Sequence, residues 1–155
     1  MTYRIEGLEP ARFAHLVGLP DAELAARGVV RMTADARPGY PCRVSLDDVA
    51  VGETLLLLNH VSHDKDTPYR ASHAIFIGEQ SAAAARYADA VPPALDRRML
   101  SLRAFDGEGM MSDAVLAKPG EADAAIRLLL ADPMVDHVDA HNAVRGCFAA
   151  RIERG

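Results

Sequence analysis

Apolar and polar residues alternate through short stretches of this chain more often than they recur at helical spacing, so strands should outnumber helices. The β-branched run 29–33 reads as a strand. Thr54-Leu55-Leu56-Leu57-Leu58-Asn59 and Ala74-Ile75-Phe76-Ile77 are continuous apolar runs, and their length suits strands buried on both faces. The polar insert between them, residues 60–70, makes the pair a long-looped hairpin. Leu100, Leu102 and Ala104 alternate with Ser101 and Arg103, and Asp106-Gly107-Glu108-Gly109 turns that strand into Ala114-Val115-Leu116.

Helical patterning is sparser. Pro10 opens a short helix with Phe13, Leu16 and Val17 on one face and Gly18 as its stop. A second begins at Leu19-Pro20-Asp21, carries Leu24 and Ala25, and ends at Gly28. Residues 80–90 are alanine-rich with Ser81 as a cap, which predicts a third helix stopped before Val91-Pro92-Pro93. The clearest stripe is Ala122, Ala125, Ile126, Leu129 and Leu130, ended by Asp132-Pro133. Strands and helices mix without βαβ alternation. The expected fold is α+β, a single globular domain over residues 1–155, with a mainly antiparallel sheet, flanking helices and a C-terminal β-hairpin.

That hairpin carries the densest chemistry. Centring its turn on Val144 pairs His141 with Cys147, Ala140 with Phe148 and Val138 with Ala150. One face then collects Met134, Val138, Ala140, Phe148, Ala150 and Ile152; the other collects His137, Asp139, His141, Cys147, Arg151 and Glu153. A slip of one residue would scramble this division, which supports the pattern. Opposed side chains on neighbouring strands lie within thiol–imidazole reach, so Cys147, His141 and an orienting Asp139 form a candidate catalytic set. The bland alternative is a solvated hairpin face with a small buried cysteine.

Composition narrows the partners. Half of the residues are apolar and the formal net charge is −5, without a long basic run, which argues against nucleic acid. Lys65 and Lys118 are the only lysines. No apolar run approaches the ~20 residues that span a bilayer, and the first residues lack the apolar core of a signal peptide. A cytoplasmic protein with reduced Cys42 and Cys147 is the expectation. Strand residues four apart are separated by ~13 Å, so His137 and His141 cannot share one ion. The pair Asp139 and His141 would need a third ligand from Cys147, His60, His63 or His73, and no metal is assigned. No cofactor is named by any motif: phosphate-binding glycine loops and the serine-hydrolase elbow are missing.

Outside the hairpin, Tyr40-Pro41-Cys42-Arg43 offers a second thiol, and adjacent strand positions should turn Cys42 and Arg43 to opposite faces. Tyr69, Arg70 and Arg103 are candidates for an anion pocket, with an exposed polar role as the equal alternative.

Several stretches together resemble a bacterial domain-of-unknown-function family, the one numbered twelve hundred and three. They are Gly39-Tyr40-Pro41-Cys42-Arg43, Gly52-Glu53-Thr54-Leu55-Leu56-Leu57, Pro68-Tyr69-Arg70-Ala71-Ser72 with Ile75-Phe76, Ala131-Asp132-Pro133, and His141-Asn142-Ala143 with Gly146-Cys147-Phe148-Ala149. His73 and Ala74 stand where the family pattern has glycine and proline. The resemblance implies one compact domain over the whole length and carries no activity, cofactor or catalytic role.

Two readings of function remain open. The first is a small-molecule-binding domain, catalytic in its sharper form, with the Cys147–His141 pair and Asp139 near a ligand site of Cys42, Arg43, Tyr69 and Asn142. The second is a non-enzymatic interaction module or homodimer with structural cysteines. The residues leave open whether the protein is an enzyme.

Overall fold

Two antiparallel sheets organise the computed structural model, which describes residues 1–155. The larger holds β1 (Tyr3–Glu6), β5 (Arg86–Ala88), β6 (Leu100–Asp106), β7 (Met111–Ala117), β8 (Val135–Asn142) and β9 (Phe148–Arg154). Their order across the sheet is β5-β1-β9-β8-β6-β7. The smaller sheet holds β2 (Val30–Thr33), β3 (Thr54–His63) and β4 (Ala71–Gly78), in that order. The helices are short: α1 (Asp21–Ala26), α2 (Pro93–Asp96) and α3 (Ala122–Leu130), with a 3-10 turn at Pro10–Arg12. None is long and apolar enough to cross a membrane. The α+β expectation with a mainly antiparallel sheet is met.

Each sheet has its own core. Ile126, Leu129 and Leu130 of α3 pack on Leu100, Leu102, Val138, Ala140 and Ile152 of the larger sheet, all buried. Fully burying one such aliphatic side chain stabilises by roughly 1.5–3 kcal/mol, so this face anchors the scaffold. Leu128, between the buried positions, is 69% exposed, as a single-sided stripe requires. The smaller sheet packs Leu56, Leu58, Ile75 and Ile77 with Phe13, Leu16 and Leu24 from the N-terminal turns. Gly18 and Gly28 end those turns with positive φ.

The sheets meet along a seam of rings. His60 lies 5.8 Å from Phe148, His73 4.9 Å from His141, and His63 4.2 Å from Phe105, centroid to centroid. The guanidinium of Arg151 donates to the Ser62 carbonyl at 2.9 Å and ties β9 to β3. His137, Asp139 and His141 of the polar hairpin face are therefore buried between the sheets rather than solvated.

Four expectations need correction. Residues 80–90 form no helix; Tyr87 pairs with Ile5, and Ala85 exchanges backbone bonds with Gly7 and Val44. The alanine run has no apolar stripe to bury as a helix, so edge pairing overrides its propensity. The first four residues of the polar insert are strand: β3 runs on to His63, and residues 64–70 form the loop. The hairpin register is shifted by two: Val138 faces Ile152, Asp139 faces Arg151, and Ala140 faces Ala150. A shift of two preserves the faces because side chains alternate with period two. The ladder then breaks between Ala140 and His141, and His141 faces Phe148. Ala149 is the extra residue of this bulge, and it moves Phe148 off the core face onto the ring seam. The fourth correction concerns Met134, which is 72% exposed rather than part of the core face.

Candidate functional site

The segment around residues 41–43 runs beside β4: Cys42 bridges Phe76, and the Arg43 amide donates to the Phe76 carbonyl at 3.0 Å. Extended backbone alternates its side chains, so Cys42 and Arg43 diverge as expected. Cys42 enters the second core, where its sulfur accepts from the Gly78 amide at 3.2 Å and the Val44 amide at 3.4 Å. It also lies 3.3 Å from Ser81 Oγ. Burial pushes the Cys42 thiol up, but these hydrogen bonds outweigh burial and its pKa is lowered.

Arg43 turns the other way and is 2% exposed. Its Nε donates to the Phe148 carbonyl at 2.8 Å, its Nη1 to the Pro41 carbonyl at 2.5 Å, and its Nη2 to Cys147 Sγ at 3.2 Å. No carboxylate lies within ion-pair distance of it. Burial lowers its pKa, and the facing sulfur of Cys147 works in the opposite sense. The guanidinium has five N–H groups, and these bonds use three of them.

A cavity of about 800 Å³ opens against this group. Met32, Leu57, Tyr40 and Phe76 supply its apolar wall; Arg43, His73, Asn142 and Cys147 supply polar atoms. Two of those atoms are buried without a protein partner: Nδ1 of His73 and Oδ1 of Asn142. Arg98 and Arg145 also line it, against a single carboxylate, Asp35. Asp35 accepts from the Tyr40 hydroxyl at 2.7 Å, and Arg98 is paired with Asp48 at 2.6 Å. The cavity is thus basic in a protein of net charge −5.

The expected site residues do not all gather here. Arg43, Asn142 and Cys147 share the cavity; Cys42, Tyr69, His141 and Asp139 do not line it. The expected Cys147–His141 opposition is replaced, because the bulge sets His141 against Phe148. Cys147 Sγ instead accepts from Arg43 and from Asn142 Nδ2, the latter at 3.4 Å. The His141 ring donates from Nδ1 to the Gly146 carbonyl at 2.9 Å. Asp139 is bound by Arg151 through Nε at 2.8 Å and Nη2 at 3.0 Å. Tyr69 packs edge-on to Phe105 with centroids 6.2 Å apart, beyond the far end of β8.

Burial dominates the seam histidines. It lowers His141 from its ordinary value to about 4, and the Gly146 bond only partly offsets this. Burial likewise lowers His60 and His73, helped by nearby Arg12 and Arg103 respectively. All three are neutral rings at pH 7.

Sequence reasoning missed Tyr40, His73 and Arg145 as cavity residues. His73 carried a usable signal, since it departs from the glycine of the resembled pattern beside an apolar run. Tyr40 and Arg145 carried none, because residues 40 and 145 meet only through tertiary pairing.

Residues 39–154 match the model of a family described as a protein of unknown function, DUF1203. No curated protein matches the chain, and no solved structure does.

Proposed function

The chain belongs to the DUF1203 family, and from the geometry of its cavity we propose that it binds a small organic anion, one with an apolar body and a carboxylate or similar oxyanion. The observation that carries this reading is Arg43, a buried guanidinium that meets no carboxylate of its own protein. A buried cation normally has a counter-ion, and a desolvated one is costly without it. An anionic ligand would take the remaining N–H groups in the two-pronged manner arginine favours. Asn142 Oδ1 and His73 Nδ1 are the further polar atoms available to fix its orientation. Met32, Leu57, Tyr40 and Phe76 would hold the apolar body.

In the catalytic form of this reading, Cys147 is the reactive group at the cavity wall, and Arg43 and Asn142 hold its sulfur. His141 then acts by supporting the turn through Gly146 rather than as a base on the thiol.

Thermal-shift and calorimetric titrations with benzoate, phenylacetate and phenyl phosphate, each against its neutral amide or alcohol, test the proposal. At least one anion should bind saturably, and Arg145→Gln at the exposed mouth should weaken it. Equal binding of the neutral partners, or no saturable binding of any anion, overturns it.

A further inference from the structure

We infer that His63, His137 and Asp139 form a binding site for a divalent first-row transition metal, separate from the cavity. His137 and Asp139 are two apart on β8 and so share the face turned to the smaller sheet. His63 arrives from the end of β3, where a bulge between Val61 and His63 re-aims the strand towards β6 and β8. One potential ligand atom from each of the three lies within 4.8 Å of the others, and all three residues are at least 95% buried. Two atoms bound to one zinc at ~2.0–2.2 Å can be no more than about 4.4 Å apart. Tetrahedral donors on one zinc sit about 3.4 Å apart, so the 3.9 Å between His137 Nε2 and Asp139 Oδ1 and the 4.8 Å limit of the set call for roughly 0.5–1.4 Å of closure as the side chains turn onto the ion.

The hydrogen bonds around the cluster prepare it for an ion. His137 donates from Nδ1 to Asp136 Oδ2 at 2.9 Å, which puts the free lone pair on Nε2. That Nε2 is buried, aimed at Asp139, and has no protein hydrogen-bond partner. A buried acceptor left unpaired is costly, and a metal would remove that penalty. His63 donates from Nε2 to the Gly109 carbonyl at 2.9 Å, which fixes its tautomer as well. Phe105 packs against both rings, stacked at 4.2 Å on His63 and 5.3 Å on His137, and holds both planes. Arg151 binds Asp139, yet a carboxylate has about four lone-pair positions and Arg151 occupies two. Two imidazoles and one carboxylate suit zinc, iron, manganese or cobalt rather than calcium or magnesium. Along β8, Asn142 stands five residues from His137, roughly 17 Å, so the two sites do not overlap.

The test is a titration of chelator-treated, tag-free protein with Co²⁺, followed by its visible absorption, and with Zn²⁺ in competition. One ion per chain should bind, and His137→Gln and His63→Gln should each abolish the saturable signal. Asp136→Asn should weaken it about 10–100-fold, the usual cost of losing a ligand-orienting partner. Asp136 is 62% exposed, so this variant decides the matter even where the buried ones fail to fold. His60→Gln, in the other histidine group of the seam, should leave binding unchanged. Absence of saturable binding by the native protein, equal binding by Asp136→Asn, or loss of binding in a folded His60→Gln overturns the inference.

Discussion

The guanidinium of Arg43 reaches Cys147 Sγ at 3.2 Å across 104 positions of sequence, and it joins the segment beside β4 to the hairpin turn. The same group ties down the carbonyls of Pro41 and Phe148. Arg43→Met leaves both acceptors unpaired and should cost about 2–4 kcal/mol in urea unfolding. Arg43→Lys should not recover this, because one ammonium cannot span three divergent acceptors.

Native-state thiol labelling should separate the two cysteines. Cys42 is 1% exposed, whereas Cys147 is only partly buried at the cavity wall. One equivalent of a disulfide reagent should react with the folded protein and the second only after denaturation. Cys147→Ser should remove the fast phase. Two fast thiols would contradict the burial of Cys42.

Acid should destabilise the fold through His141. Its pKa lies near 6.5 in the unfolded chain and about 4 in the folded one. The unfolded chain therefore takes up the proton first, so stability falls as pH drops from about 6.5 to about 4 and levels off below. At about 1.4 kcal/mol per unit this amounts to roughly 3 kcal/mol. His60 and His73 shift in the same direction and add to it. Chemical denaturation across that range should show the slope, and His141→Gln should flatten it. Stability independent of pH there would contradict the burial argument.

The Asp139–Arg151 pair yields a prediction of non-additivity. Asp139 has a side chain 1% exposed, while Arg151 is 36% exposed. Arg151→Met strands a buried carboxylate and should cost about 2–3 kcal/mol, below the ~3–5 kcal/mol of a fully enclosed pair. Adding Asp139→Asn to that variant should restore part of the loss. Equal, additive costs in a double-mutant cycle would show the pair to be uncoupled.

Much of this architecture was legible from residue pattern, but only where the pattern was local. The α3 stripe, the strand at Leu100–Ala104 and, apart from Met134 and Phe148, the two faces of the last hairpin depend on periodicity alone, and the structure keeps them. The hairpin register failed because a bulge leaves little trace in hydropathy: Ala149 is as apolar as its neighbours. The 80–90 helix failed because local propensity says nothing of the Gly7 and Val44 backbones that pair with Ala85. For the site, Arg43, Asn142 and Cys147 were recognisable by residue type. Their grouping apart from His141, and that of His63 with His137, was not, since each depends on how the sheets stack.

Ala149 has a wider effect than a local kink. One additional residue puts the two ends of β8 and β9 out of phase, so a single ribbon serves two compartments. On one side of the irregularity, His137 and Asp139 stay buried between the layers; beyond it, Asn142 and Cys147 open to the cavity. Removing Ala149 would make the ladder continuous from Ala140–Ala150 to His141–Phe148 and leave Phe148 on the ring seam.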